Sequence, residues 1–362
     1  MIALAAGSGS LPAQDTSRNS LRVAIYNVNL SGRGPGLVLR NLLANDPVAL
    51  RLAQIVSRTA PDVLVLTKID HDMDLRALRA FAALVSAEGH DMPHAFARRP
   101  NTGWATGRDM DGDGTLGTAD DAHGYGAFAG VGGMAVLSRL PIMHDHAEDF
   151  STFLWADLPG HIMPIETPEP ALQRLSTTGH WLVPVQIHPV GMLNLLVFYA
   201  SPPVFGSMEN RNLHRNHDEV RFWTQYLDGR LPMPPPDGPV VVAGSANLDP
   251  VDGDGLHEAM QDLLRHPRLQ DPQPRSVDAI LAADHPASLG HRGDPALDTT
   301  EWVRDIGPGN LRVDYLLPDA RLQVLDAGVV WPPPQDELAD LVGKGEEAPT
   351  RHRLVWVDLA IP

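Results

Sequence analysis

Apolar and polar positions alternate over Leu21–Leu30 (LRVAIYNVNL), with β-branched residues enriched, and Asp62–Lys68 (DVLVLTK) is a nearly continuous apolar run of strand length. Both patterns predict strands. Between them Asp46 precedes Pro47, an N-cap with proline at the first helical position, and Val48, Leu52, Ala53, Ile55 and Val56 then recur at helical spacing. A strand–helix–strand unit is therefore expected, with a second helix over Leu75–Ala87. Beyond it the chain is rich in glycine and aspartate until Gly133–Ser138 (GMAVLS) resumes strand character. A loop of that length is expected to be functional or ion-bound.

Further strands are predicted at Trp181–Ile187 and Leu193–Tyr199, the latter running into the proline-rich turn Ser201–Phe205. Asn216 offers a helix cap, and Glu219 three residues on completes a capping box ahead of the apolar face Val220, Phe222, Trp223 and Tyr226. Pro232–Pro236 reads as a turn and Pro239–Ala243 (PVVVA) as a buried strand. Leu256–Leu264 reads as a helix, and Leu311–Leu317, Arg321–Val330 and Arg353–Leu359 as strands. Some strands are joined by helices and others by tight turns, so the fold class is α/β with mixed sheets. Asn27, Lys68, Tyr199, Asn247 and Asp314 end or interrupt these strands, where sites in such folds assemble. Their spread over the chain predicts one domain, residues 21–362, behind a tail of residues 1–20.

Composition narrows the chemistry. The 362 residues are 43% apolar and 20% charged, enough to bury a sizeable core. A formal charge of −17 repels polyanions, so nucleic acid is not an expected partner. The absence of cysteine excludes disulfides, thiolate metal sites and a cysteine nucleophile. No run reaches the ~18–20 apolar residues of a membrane-spanning helix. Met1–Gln14 (MIALAAGSGSLPAQ) has a short apolar run followed by small residues, and reads as a flexible tail or the remnant of a secretory signal. No P-loop and no G-x-S-x-G elbow occurs.

Five ordered motifs then stand together: AIYN ending in Asn27, VLTK ending in Lys68, GSAN (Gly244–Asn247), RVDY (Arg312–Tyr315) and TRH (Thr350–His352). In these the chain resembles the endonuclease/exonuclease/phosphatase superfamily, the deoxyribonuclease I-like fold. Ser201–Trp223 and Asn101–Gly114 are similar to its secreted bacterial branch. The resemblance implies a four-layer sandwich of two mixed β-sheets flanked by helices, phosphoester hydrolysis with one or two divalent ions, and a periplasmic or extracellular location.

The resemblance also exposes departures. Lys68 stands where the family has a metal-binding glutamate, and Ser245 where the turn aspartate positions or deprotonates water. Arg351 replaces the aspartate before the last histidine. Tyr199 stands where the secreted branch commonly has histidine, whereas Asn27, Asn247, Asp314 and His352 match the pattern. Opposed unit charges at ~4 Å are worth roughly 4 kcal/mol at an effective dielectric near 20, and Mg²⁺ requires oxygen ligands, so no Mg²⁺ is expected here. The expected protein is a non-catalytic member that binds a phosphate-like anion through Lys68, Arg351 and His352, extended by Arg211 and Arg215, or that engages a protein partner. Three other readings stay open. Lys68 and Arg351 could fill a dead cleft by pairing with Asp314 or neighbouring carboxylates; hydrolysis could persist with ligands relocated to Asp70, Asp72 or Asp249; or the chain could be a structural subunit.

Asp109–Asp120 (DMDGDGTLGTAD) carries aspartates at positions 1, 3 and 5, glycine at 6 and an acid at 12, the spacing of an EF-hand calcium loop. Ca²⁺ held by Asp109, Asp111, Asp113, Thr115 and Asp120 is the expectation, although position 12 is not glutamate and no exiting helix follows. Asp249, Asp252 and Asp254 read as a surface turn, and Trp223, Trp302, Trp331 and Trp356 as core.

Overall fold

The computed structural model describes residues 20–187, 191–205, 210–302 and 307–361. The chain runs through β1 (Ser20–Leu30), α1 (Leu37–Leu43), α2 (Pro47–Thr59), β2 (Val63–Ile69), α3 (Arg76–Ala87), β3 (His94–Phe96) and β4 (Gly133–Ser138). It continues through β5 (Glu148–Asp149), β6 (Gly179–Ile187), β7 (Gly191–Tyr199), α4 (Arg211–Leu227), β8 (Val240–Ser245) and α5 (Glu258–Leu264). It closes with α6 (Val277–Ala282), β9 (Asp314–Pro318), β10 (Val324–Val329), α7 (Ala339–Val342) and β11 (Val355–Ala360). One sheet has the order β10-β11-β1-β2-β4-β3 and the other β5-β6-β7-β8-β9. Both are mixed: β1 is parallel to β2 but antiparallel to β11, and β7 is parallel to β8 but antiparallel to β6.

Side chains alternate across each strand, so every central strand serves two layers. Val23, Ile25, Val63 and Val65 meet Val183, Val185, Leu195 and Val241 between the sheets. The intervening Ala24, Tyr26, Leu64 and Leu66 face α1, α2 and α3, while Leu196, Phe198, Val240 and Val242 face α4 and α5. This is the expected four-layer arrangement, and burial on both faces is why β2 and β8 read as unbroken apolar runs. Ser20 pairs with Ala360, tying the two ends of the described chain into one sheet. Residues 1–19 of the expected tail lie outside the described residues, and Ser20 already belongs to β1.

Asp46 caps α2 as predicted, its carboxylate accepting from the Val48 and Ala49 amides. The start of α4 differs. The helix begins at Arg211 behind Asn210, so Asn216 is not its cap. The Asn216 amide instead donates across to the carbonyls of Ser201 (2.6 Å) and Ala246 (2.7 Å). Glu219 is also recruited by tertiary structure. It accepts from Thr177 N (2.6 Å) and Oγ1 (2.7 Å) and from Ser201 N and Oγ (both 2.7 Å). Of the four tryptophans, Trp223 and Trp331 are core. Trp356 lies half-buried under Arg22, and Trp302 packs edge-on against His352 at 5.6 Å, nearer the chemistry than expected.

A candidate site at the strand ends

Strand register brings the expected residues together. Asn27 pairs with Thr67 across β1 and β2, Tyr199 pairs with Ser245 across β7 and β8, and Ser245 pairs with Asp314 across β8 and β9. The two sheets are joined at this level by a buried relay of side chains. Thr67 Oγ1 lies 2.8 Å from Ser245 Oγ, Ser245 Oγ donates to Asp314 Oδ1 at 2.5 Å, and Asp314 Oδ2 lies 2.7 Å from His352 Nδ1. The Asp314 carboxylate therefore spends both oxygens inside the protein. Thr350 Oγ1 completes the frame by donating to the Asn27 carbonyl at 2.9 Å and accepting from the His352 amide. Thr67 was not anticipated as a site residue; its only sequence signal is its strand-end place beside Lys68, facing the gap between the sheets.

Lys68, next to Thr67, sits in a β-bulge. The pairing of β2 with both β1 and β4 shifts between Thr67 and Ile69, and Lys68 takes φ +58. A bulge re-aims a side chain next to a site and costs local strain that surrounding structure must hold. The Lys68 stem lies along Gly132, where a Cβ would stand 3.7 Å from Lys68 Cγ. Burial pulls its ammonium below the ordinary lysine value, and among the described residues no carboxylate pairs with it. Asn27 is buried with neither amide atom at hydrogen-bond geometry among the described residues. It still faces the Tyr199 hydroxyl, which burial pushes up to about 12 against the opposing influence of the Asn27 and Asn247 amides. Asn247, in the left-handed region at φ +50, donates to the Ala200 carbonyl at 2.8 Å.

The other cations go elsewhere. Arg351 reaches Glu346 at 3.4 Å, and its second terminal nitrogen is buried without a hydrogen-bond partner among the described residues. Arg211 donates to the Met110 carbonyl at 3.0 Å, and Arg215 donates to Gln173 Oε1 at 3.1 Å and the Arg174 carbonyl at 2.6 Å. Arg211 ties α4 to the 101–123 loop and Arg215 ties it to residues 173–174, and among the described residues neither is bonded to Lys68 or His352.

The carboxylates nearest in sequence to the lost ligands fasten loops. Asp70 accepts from the Gly32 and Gly132 amides, both at 2.9 Å. Asp72 accepts from Arg76 N and Ala77 N at 2.8 Å, holding the start of α3. Asp249 accepts from Val251 N, Asp252 N and Arg312 N. The residues at the strand ends therefore do not fit the divalent ion that the resemblance implies.

In the acidic loop, Asp109, Asp111 and Asp121 offer carboxylate oxygens within 4.8 Å of one another. Asp121 stands where Asp120 was expected, because no helix leaves the loop and the chain turns back at 118–121. Asp113 accepts from the Thr115 amide and stays outside the group. A second acidic group surrounds Asp298. Burial, then the charges of Asp249, Asp252 and Asp294, push its carboxyl up to about 8. A native pKa above the unfolded value of ~3.9 means that the fold binds this proton more tightly, so stability falls as pH rises from about 4 to about 8. Asp298→Asn should gain melting temperature on the parent across that window and keep a constant lead above it. Parallel melting curves from pH 5 to pH 8.5 would sink this expectation.

A model of the Endonuclease/Exonuclease/phosphatase family matches residues 24–352. No curated protein matches the chain at a significant level. Among solved structures the chain is similar to an endonuclease/exonuclease/phosphatase from Beutenbergia cavernae DSM 12333, with a TM-score of 0.56 and 18% identity over 95% of this chain and 72% of that one. It is similar to a family protein from Leptotrichia buccalis C-1013-b, with a TM-score of 0.51 and 12% identity over 94% and 99%. A mannosyl-6-phosphatase of Bacteroides thetaiotaomicron VPI-5482 gives 0.50 and 14% over 94% and 99%.

Proposed function

The chain belongs to the endonuclease/exonuclease/phosphatase family, and from that premise we propose that it is a non-catalytic member that binds a small phosphate-like anion at the strand ends. The observation that carries this reading is the state of Asp314. It is the one carboxylate in the Thr67–Ser245–Asp314–His352 relay, and both of its oxygens are engaged there. Next to Thr67 in the chain is Lys68, a partly buried cation without a carboxylate partner among the described residues. A divalent ion would need oxygen ligands that Lys68 and Ser245 do not supply. A tetrahedral anion suits the same surroundings, taking the Lys68 ammonium as a point charge and the Asn27 amide as a donor. Nucleic acid is not proposed as the partner at a net charge of −17.

Purified protein should hydrolyse p-nitrophenyl phosphate and bis-p-nitrophenyl phosphate no faster than buffer with Mg²⁺, Mn²⁺ or Ca²⁺. Inorganic phosphate at 10 mM should raise the melting temperature by about 2 °C or more, the effect of a ligand near ten times its Kd. Lys68→Ala should remove that rise. Hydrolysis that disappears with His352→Ala would overturn the reading.

Calcium in the acidic loop is part of the proposal, with Asp109, Asp111 and Asp121 as the ligand group. Ca²⁺ should raise the melting temperature and protect residues 101–130 from proteolysis; indifference to both Ca²⁺ and EGTA would end this claim. Export to the periplasm or beyond is supported by the likeness of the 101–114 and 201–223 segments to secreted members. Attachment of a protein partner is the second reading. It has one supporting feature, the exposed ridge of Val277, Ile280 and Leu281 on α6.

A further inference from the structure

A cavity of about 490 Å³ lies between α1, the turn after β2 and residues 128–130. Val38, Leu39, Met73, Ala77 and Phe128 make its apolar walls. Met73 is 89% exposed, an unusual placing for a large apolar side chain that belongs to no core layer. Bare backbone forms one side. Gly130 takes φ +95, and a Cβ there would stand 2.4 Å from the His71 carbonyl, so only glycine lets this segment close against the turn.

The charges in the lining are unequal in what they have left to give. Asp70 and Asp72 are in the lining, but the Asp70 oxygens hold the Gly32 and Gly132 amides and those of Asp72 hold the start of α3. Burial holds His71 below the ordinary histidine value. Arg99 is different. It has no carboxylate partner among the described residues, and its guanidinium lies 3.8 Å from the Trp104 ring centroid, with Arg174 over the same indole at 4.5 Å. Stacking fixes the planar fork of an arginine while leaving its donors available to an anion.

We propose that this cavity binds an amphiphilic small molecule, with an aryl or alkyl body against the apolar walls and a single anionic head on Arg99. A volume of this order is that of an ordinary small-molecule site, in which apolar walls supply contact area and a few polar groups set orientation. The occupant follows from the donors and acceptors left over: both carboxylates already accept backbone amides, so Arg99 is the charged group in the lining with donors free for a head, and an anionic head is what it would bind.

The test uses the full chain and a matched pair of probes, 4-phenylbutyrate and 4-phenylbutanol, titrated by ligand-observed NMR. The carboxylate should bind saturably and at least fivefold more tightly than the alcohol. Arg99→Gln should abolish that difference and leave the alcohol unchanged, and Met73→Glu should weaken the carboxylate at least fivefold. Both positions are exposed, so unchanged melting curves will accompany either result. Inorganic phosphate at 10 mM should leave 4-phenylbutyrate affinity within twofold, which separates this cavity from the Lys68 site. Equal affinity for acid and alcohol, insensitivity to Arg99→Gln, or displacement by phosphate would each overturn the proposal.

Discussion

Lys68→Glu combined with Ser245→Asp is expected to melt well below the parent in EDTA and to recover in millimolar Mg²⁺, a metal dependence absent from the parent. Ser245 Oγ lies 2.5 Å from Asp314 Oδ1 and 2.8 Å from Thr67 Oγ1, so a carboxylate introduced there abuts an existing one at zero exposure. Two like charges at ~4 Å repel by roughly 4 kcal/mol at an effective dielectric of 20, and the site relieves this by holding one carboxyl protonated. The glutamate introduced at position 68 adds a third acid and removes the local cation. Without metal the loss should be about 3 kcal/mol or more; a divalent ion shared by the three carboxylates reverses the sign. Adding Arg351→Asp and assaying bis-p-nitrophenyl phosphate then asks whether hydrolysis returns. If the double variant melts identically with Mg²⁺ and with EDTA, these two positions alone do not decide whether the strand ends hold a divalent ion.

How much of this could be read beforehand depends on whether the controlling force was local. The strands β1, β2 and β8 were legible because each is apolar at the period its layers demand, and α2 because Asp46 and Pro47 act within one turn; the four-layer sandwich itself was implied by the family resemblance. The start of α4 was misread for the opposite reason. Asn216 and Glu219 have capping-box spacing, but both side chains answer to backbone far along the chain, at Ala246, Ser201 and Thr177. The site shows the same division. Asn27, Lys68, Ser245, Asp314 and His352 were grouped by matching motifs; strand register sets Asn27 against Thr67 and Ser245 between Tyr199 and Asp314, and a hydrogen bond joins Asp314 to His352. The bulge that turns Lys68 is a backbone event with no residue signature, since lysine has no preference for φ +58. Arg351 sits between two site residues in sequence, and one of its terminal nitrogens reaches Glu346, a contact that no local sequence pattern announces.

The largest loss of stability from one substitution is expected at Glu219, outside the strand-end site. Its carboxylate has zero exposure and accepts four hydrogen bonds, from the amides and hydroxyls of Thr177 and Ser201. Burial raises its carboxyl pKa, while the Thr177 amide, Arg215 and Ser201 oppose that rise. Glu219→Ala strands those donors and removes the charge that offsets Arg215, itself fully buried and held down to about 9 by burial and by Arg211. Each unmet buried donor costs about 1–3 kcal/mol, and an uncompensated buried charge about 3–5 kcal/mol. These terms overlap, so roughly 4 kcal/mol in total is expected, read as a lower urea midpoint at unchanged slope. Glu219→Gln keeps part of the acceptor set and should lose about half as much. The effect should also reach the anion site. Ser201 follows Ala200, whose carbonyl holds Asn247 and whose amide donates to the Ser245 carbonyl. Loosening Ser201 frees that corner, so Glu219→Gln should weaken phosphate binding while the chain remains folded. A Glu219→Ala midpoint within 1 kcal/mol of the parent would mean that water replaces the carboxylate and that this network is not what fastens the 173–180 and 200–201 segments to α4.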